Sequence, residues 1–128
     1  MIVLAPINLS DNHWALAVIH GAEQRADVYD SMSTEDNTER IHVAIKGLIP
    51  RLFPSAVSSD WAIVNEPTAA QSNSDDCGVF LIHAALRVIC GQPLTALSVD
   101  GQLLRRLYSA LQQQNVEPVC HAGLLNEI

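Results

Sequence analysis

Apolar residues in the first part of the chain form short runs separated by polar turns, a pattern that predicts consecutive β-strands. The segment Ile2–Ile7 is apolar and partly β-branched, and Pro6 indicates an edge strand or a strand end. After a turn at Ser10–Asn12, the run Trp14–Ile19 is apolar at every position, which is typical of a strand covered on both faces. Ala26–Asp30 follows after a second short turn, so these two strands are predicted to form an antiparallel hairpin.

The apolar spacing becomes helical in the middle of the chain. The segment Ser33–Asp36 carries a cap-like hydroxyl followed by acidic residues, which is typical of a helix N-terminus. Apolar residues then recur at helical spacing, namely Ile41, Ile45, Leu48, Ile49 and Leu52. Pro50 is expected to end or kink this helix near Ile49. A short strand is predicted over Trp61–Val64, and Asn65–Asp76 is predicted to be a polar loop.

The chain becomes apolar again at Cys77 and remains so, on nearly every face, until Gly91 and Pro93. A run of this length predicts a buried central helix that begins at Cys77. A last amphipathic helix is predicted over about Val99–Gln114, with Leu103, Leu104, Leu107 and Leu111 on one side. The order of strands, helix, strand, helix and helix predicts an α+β domain with a mostly antiparallel sheet packed against the central helix.

Composition and charge narrow the function classes. A chain of 128 residues is long enough for one domain, which we predict over residues 1–128. Seven basic and fourteen acidic residues give a net charge of −7, the wrong sign for binding phosphate backbones, so no nucleic-acid partner is expected. No apolar run reaches the length of a membrane span, and Met1–Pro6 lacks the basic n-region of a signal peptide.

The cysteine pattern predicts a reducing environment. Cys77, Cys90 and Cys120 are an odd number without C-x-x-C spacing, which argues against a disulfide framework and against a zinc ribbon. We therefore predict an intracellular protein, cytoplasmic or nuclear, in which a catalytic thiol remains usable. Cys90 and Cys120 are expected to be core residues or inert surface residues.

Three residues form a candidate catalytic constellation. Cys77 lies where the polar loop gives way to the apolar helix, and both a helix N-terminus and a neighbouring imidazolium favour the reactive thiolate. In the predicted hairpin the start of one strand lies beside the end of the other, so His13 and Asp30 are expected to be neighbours. The carboxylate would orient the imidazole and stabilise its charged form. Gly78 would permit close backbone approach at the turn, and Asp76 could cap the helix.

Three strings in the chain resemble the sentrin/SUMO-specific (ubiquitin-like-protein-specific) cysteine protease family of clan CE. They are Pro6–Leu9 leading into His13–Ile19, then Tyr29–Met32, and then Gln71–Phe80. The order His, Asp, Gln, Cys is that of the family, whereas papain-type enzymes place Cys before His. The resemblance implies the papain-like fold of the ubiquitin-like protease type. The family's catalytic domain has a substantial segment before the histidine, so this domain is expected to be short at its N-terminus.

The resemblance also implies an activity. It is that of a thiol protease, which needs no cofactor or metal and cleaves the peptide or isopeptide bond after the C-terminal Gly-Gly of SUMO, NEDD8 or ubiquitin. Cys77 would be the nucleophile, His13 the general base and then acid, and Asp30 the residue that orients it. Gln71, with the backbone N–H of Cys77, would donate to the oxyanion. Trp14 would wall a narrow tunnel that admits only glycine.

Alternative interpretations remain for the acidic pair and for the whole chain. Asp75 and Asp76 are either a solvated, helix-capping pair or, with Gly78, part of a substrate-binding mouth whose charge favours the arginine-containing tails of ubiquitin and NEDD8 over SUMO. The chain could also be a binding module for ubiquitin-like proteins without turnover, or an acetyltransferase with a similar His–acid–Cys arrangement. A metal site built from His13, Asp30 and Cys77 is not expected, because nothing supplies a fourth ligand.

Overall fold

The structure is a computed structural model that describes residues 1–9, 13–73, 75–92 and 100–113, with the backbone alone at 111–113. The elements are β1 (Ile2–Leu9), β2 (His13–His20), β3 (Arg25–Tyr29), α1 (Glu35–Leu52), a 3-10 turn (Ser58–Asp60), β4 (Ala62–Asn65), α2 (Cys77–Ile89) and α3 (Gly101–Gln113). This is the predicted α+β order. The predicted turn at Ser10–Asn12 and Cys120 lie outside the described residues. Among those described, none of the helices combines the length and the apolar character needed to span a membrane.

The described strands form a sheet in the order β1-β2-β3-β4. The pairs β1/β2 and β2/β3 are antiparallel and β3/β4 is parallel, so the prediction of a mostly antiparallel sheet is confirmed. Pro6 pairs with Leu16 from the edge strand β1, where the missing proline N–H costs least. In the β2–β3 turn Gln24 adopts a positive φ of 51°. Gly21 has no room for a side chain there, because the ring of Phe53 occupies that space.

Strand β2 lies between two helical layers, as its continuous apolar run predicts. Alternate residues of a strand face opposite sides of the sheet. Ala15, Ala17 and Ile19 belong to the cluster on the α1 side, together with the α1 residues Ile41, Ile45 and Ile49. Leu16 and Val18 belong to a second cluster on the α2 side. The strand that carries the candidate histidine is therefore buried on both faces.

Pro50 is expected to end or kink helix α1 near Ile49; the helix does not end there but passes through Pro50 and ends at Leu52. Proline cannot donate to the carbonyl four residues earlier, and that carbonyl belongs to Lys46. The hydroxyl of Ser58 donates to it instead, at 2.9 Å. The helix continues because its orphaned acceptor is satisfied by the 3-10 turn. At the other end Thr34 is the N-cap and accepts from the backbone N–H of Asn37, as the sequence predicts.

The last two helices match their predicted positions, whereas the bonding state of Cys90 was not predicted. Helix α3 begins after Asp100, whose carboxylate accepts from the N–H of Gln102 at 2.9 Å. Cys90 is disulfide-bonded, whereas Cys77 is not part of a disulfide. The expectation that Cys90 is a core residue or an inert surface residue did not anticipate this bond, because an odd cysteine count excludes full pairing but permits one bridge. Disulfides are uncommon in reducing compartments, so the cysteines do not support an intracellular location.

Candidate active site

His13 and Asp30 meet at one end of the sheet. His13 begins β2 and Asp30 directly follows β3. The register pairs Leu16 with Tyr29, so its continuation brings Asp30 opposite Ala15, on the same face as His13. His13 Nε2 lies 2.7 Å from Asp30 Oδ1, and the side chains are 8% and 5% exposed. The predicted contact between them is confirmed, and its catalytic role stays a prediction.

The Asp30 carboxylate determines which nitrogen of the imidazole is basic. Asp30 Oδ1 also accepts from the backbone N–H of Met32 at 2.9 Å, which holds the carboxylate in place. Because a carboxylate can only accept from the ring, the neutral His13 imidazole carries its proton on Nε2. His13 Nδ1 is then left as the basic nitrogen.

Cys77 is a buried thiol, outside any disulfide, at the first residue of α2. The unpaired N–H groups and the dipole of a helix N-terminus favour a negative charge at this position. Ala84 of the same helix packs against Leu16 and Val18, so β2 positions α2 as well as His13. At Gly78 no described atom of the protein beyond its own helix turn lies within 4 Å of a side chain built there. The expected close backbone approach at Gly78 is therefore not made by the described part of the chain.

Gln71 is hydrogen-bonded to Ser31, the residue that follows Asp30. Its backbone N–H donates to the Ser31 carbonyl oxygen at 2.9 Å. The Ser31 hydroxyl donates to Gln71 Oε1 at 2.5 Å, which orients the side-chain amide. Gln71 Nε2 donates one hydrogen to the carbonyl oxygen of Asn73. The amide group has a second N–H, which is the donor that the expected oxyanion role requires.

The two acidic residues before Cys77 lie in different environments. Asp75 is exposed, whereas Asp76 is buried. Asp76 Oδ2 accepts from Asn73 Nδ2 at 2.7 Å, and Asp76 Oδ1 is paired with the Arg105 guanidinium. The hydrogen bond from Asn73, followed by that from Arg105, holds the pKa of Asp76 below its usual range. Asp76 is therefore not an exposed charge at a substrate mouth, and only Asp75 retains that possibility.

Trp14 is the large aromatic residue beside the histidine. It is 38% exposed and pairs with Asn8 of the edge strand β1, so its ring lies at the surface next to a buried catalytic candidate. An exposed indole at this point could contact a substrate. The tunnel wall that the family resemblance implies stays a prediction.

Three residues that the sequence did not single out complete the arrangement: Ser31, Asn73 and Arg105. A signal existed for Asn73, because asparagine in a polar loop commonly accepts from N–H groups two residues on. Its Oδ1 does so from Asp75 at 3.0 Å. No pattern indicates Arg105, since only the packing of α3 brings it to the loop. Within the described residues no group of three metal-binding side chains occurs.

Comparison with known proteins identifies a matching protein family and one similar protein. Residues 1–117 match the family described as the Ulp1 protease family, C-terminal catalytic domain. Ubiquitin-like-specific protease 1 of Saccharomyces cerevisiae is 23% identical over 111 residues, which is 85% of this chain and 18% of that protein. This chain therefore covers only a small part of that relative.

Solved structures share the fold. One of the SUMO protease Ulp1, with its catalytic cysteine oxidised to a sulfenic acid, has a TM-score of 0.71 at 22% identity, covering 89% of this chain and 53% of that one. The C-terminal Ulp1 protease domain in complex with Smt3, the yeast ortholog of SUMO, has 0.68 at 23%, covering 86% and 51%. The Ulp1-like SUMO protease catalytic domain of Chaetomium thermophilum has 0.60 at 29%, covering 89% and 43%. The chain spans about half the length of these solved relatives.

Proposed function

Because the chain belongs to the Ulp1 protease family, we propose that it is a cysteine peptidase that cleaves after the C-terminal Gly-Gly of a ubiquitin-like modifier. The observation that carries this proposal is the buried contact of 2.7 Å between His13 Nε2 and Asp30 Oδ1. A thiol that is not disulfide-bonded, at the first residue of α2, and an oriented glutamine amide support it. The scissile bond is a peptide or isopeptide bond.

In the proposed first step His13 Nδ1 takes the Cys77 proton, and the thiolate attacks the carbonyl carbon of the terminal glycine. Asp30 stabilises the resulting imidazolium and keeps the ring oriented without taking the proton itself. The carbonyl oxygen becomes an oxyanion. Gln71 Nε2 and the backbone N–H of Cys77 are the proposed donors to it; the Ser31 hydroxyl orients the Gln71 amide, and Cys77 is the first residue of α2, which supports this role.

In the proposed second step the tetrahedral intermediate collapses. The C–N bond breaks, and His13 donates its proton to the leaving amine, so that the modifier remains attached to Cys77 as a thioester. A water molecule then gives a proton to His13 and attacks the thioester carbonyl. The C–S bond breaks, the modifier leaves as a carboxylic acid that gives its proton to solvent, and the imidazolium returns its proton to Cys77, so that the thiol and the neutral imidazole are restored.

Among possible modifiers we propose SUMO. Similar solved proteins are SUMO proteases, one of them in complex with Smt3. The charges near the thiol point the same way: Asp76 is neutralised by Arg105, and Arg105 and Arg106 line the same cleft as Asp75. A mouth of mixed charge offers little advantage to a tail that carries arginine before Gly-Gly. The proposed compartment is intracellular, where SUMO-type conjugates occur, and domain 1–128 acts as the catalytic domain.

The proposal is tested by reacting the chain with propargylamide probes of SUMO, NEDD8 and ubiquitin and recording the intact mass. We expect an adduct with the SUMO probe that is lost in Cys77→Ala. An adduct only with the ubiquitin or NEDD8 probe would keep the peptidase and overturn the substrate.

Two other outcomes would contradict the peptidase itself. A stable complex with SUMO that forms without adduct or cleavage would indicate a binding module. Transfer of an acetyl group from acetyl-CoA to a protein, again dependent on Cys77, would indicate an acetyltransferase; that activity is disfavoured because seven basic residues make an anionic cofactor pocket hard to build.

A further inference from the structure

Asp76 occupies the position from which an aspartate ordinarily caps a helix, yet its side chain does not cap α2. It is the residue immediately before the helix, and within the described residues its carboxylate makes no hydrogen bond to the first turn. Its backbone carbonyl oxygen does bond to the first turn of α2, accepting from the N–H of Phe80 at 3.0 Å. Aspartate is among the most favourable N-cap residues. Other interactions must therefore hold the Asp76 carboxylate away from the helix more strongly than capping would hold it there.

The carboxylate is held by the loop on one side and by α3 on the other. Asn73 Nδ2 donates to Asp76 Oδ2 at 2.7 Å, and the Arg105 guanidinium pairs with Asp76 Oδ1. A second guanidinium nitrogen of Arg105 donates to the carbonyl oxygen of Asp75 at 2.6 Å. The Asp76 side chain is only 6% exposed. A single arginine thus contacts both residues that precede Cys77.

Helix α3 also approaches Asp76 through its backbone. A side-chain carbon at Gly101 would collide with the Asp76 carboxylate, so glycine permits this close approach. Gly101 and Arg105 are four residues apart on α3 and therefore lie on one face of the helix. The carboxylate is enclosed between this face and Asn73.

We propose that Arg105 is a positioning residue for the Cys77 thiolate. It turns the Asp76 carboxylate away from the N-terminus of α2 and neutralises its charge, which leaves the N–H groups of the first turn to the thiolate and to the developing oxyanion. Without Arg105 the carboxylate would rotate to cap the N–H of Gly78 or Val79. It would then compete with the sulfur for the same positive field and repel the thiolate.

The inference rests on the proposed function only for its effect on turnover; the effect on the thiolate is independent of any substrate. The charged groups on the elements around Cys77 belong to three parts of the chain. His13 and Asp30 lie at the end of the sheet, and Asp75, Arg105 and Arg106 line the cleft formed by the loop and α3. Of the two arginines, Arg105 is the one paired with Asp76.

The test is the rate at which iodoacetamide alkylates Cys77 as a function of pH, followed by intact mass and corrected with Cys77→Ala. In Arg105→Ala we expect the midpoint of the profile to rise by about one pH unit and the rate at pH 6 to fall roughly tenfold. Arg106→Ala removes the same charge from the same helix without releasing Asp76. Its profile should stay close to that of the unmodified chain.

Two further variants separate positioning from loss of structure. Asp76→Asn combined with Arg105→Ala removes the competing carboxylate and should restore the original midpoint. Arg105→Lys keeps the charge but cannot bridge Asp76 and the Asp75 carbonyl together, so an intermediate midpoint is expected. Circular dichroism and melting temperature establish that each variant is folded. If Arg105→Ala does not fold, the comparison between Arg105→Lys and the double variant decides.

The inference is overturned if Arg105→Ala and Arg106→Ala have the same profile, or if the double variant retains the shift. Cleavage of a Gly-Gly-linked reporter is measured on the same samples. A shifted alkylation profile in a chain that cleaves no reporter would support the role of Arg105 and contradict the proposed function. Cleavage with an unshifted profile would do the reverse.

Discussion

A histidine–aspartate pair lies near each end of strand β2, which contributes the histidine. The two pairs differ in the other groups that contact the aspartate. At one end His13 Nε2 lies 2.7 Å from Asp30 Oδ1. At the other, His20 Nε2 lies 3.0 Å from Asp27 Oδ2. Asp27 also accepts from Arg25 Nε at 2.8 Å and from Arg25 Nη2 at 2.7 Å. Among the described residues no arginine or lysine pairs with Asp30.

The difference shows that a histidine–aspartate contact is not by itself a catalytic device. Asp27 is held by the permanent cation of Arg25 as well as by His20. Within the described residues Asp30 has no such cation and contacts His13 and the backbone N–H of Met32. The surroundings differ as well, because Ser31 links the Asp30 end of the sheet to Gln71 and hence to the loop that leads to Cys77. Only the His13–Asp30 pair is linked in this way to the loop that leads to the candidate nucleophile, Cys77.

Replacing each histidine with glutamine is the strongest way to break this comparison. His13→Gln should lower kcat/KM for a Gly-Gly-linked fluorogenic reporter by about a thousandfold or more, because the thiol loses its base. His20→Gln is the matched control and should cleave at nearly the unmodified rate. Melting curves must show both variants folded. Equal losses in the two would mean that the His13–Asp30 pair has no special role.

Replacing each aspartate with asparagine separates catalysis from stability. Asp30→Asn should reduce kcat by roughly a hundredfold to ten-thousandfold, because an amide can favour the wrong imidazole tautomer. Asp27→Asn should leave kcat nearly unchanged and lower the urea midpoint of unfolding, because Arg25 loses its charged acceptor. Steady-state kinetics and urea unfolding are measured on the same preparations. A reversed pattern would contradict the assignment of the two pairs.

A third histidine sharpens the comparison, because its neighbour is a cation. Arg87 Nε donates to His83 Nε2 at 3.1 Å, and His83 Nδ1 lies 3.2 Å from the Tyr108 hydroxyl of α3. Burial, and then the charge of Arg87, lower the pKa of His83 to about 4 from 6.5. As the pH falls, His83 is therefore protonated in the unfolded chain before it is protonated in the folded chain. Protonation of His83 thus favours unfolding.

The expected result is a loss of stability as the pH falls from 6.5 towards 4. In His83→Gln, which can still accept from Arg87, this part of the pH dependence should be reduced. The measurement is the melting temperature across that window for both proteins, and the expected difference is a few degrees. Superimposable curves would mean that His83 is not neutral in the folded chain.

Local patterns in the sequence predicted most of the fold. The continuous apolar run of β2 predicted a strand covered on both faces, and the short turn after it predicted the hairpin that joins His13 to Asp30. Those inferences succeeded because hairpin pairing and side-chain alternation are fixed by neighbouring residues. The continuation of α1 through Pro50 was not predictable from local sequence. It depends on Ser58, a residue of the later 3-10 turn, which donates to the carbonyl oxygen that Pro50 leaves without a partner.

The sequence by itself determined the order of the elements, the position of the thiol at a helix start and the pairing of His13 with Asp30, since all three depend on spacing along the chain. Only the tertiary structure decided the direction of the Asp76 carboxylate and the orientation of Gln71. Each depends on a side chain far away in sequence, Arg105 and Ser31 respectively. Local propensity placed Asp76 as a helix cap, and an ion pair between the buried Asp76 carboxylate and the half-exposed Arg105 of α3 outweighed that preference.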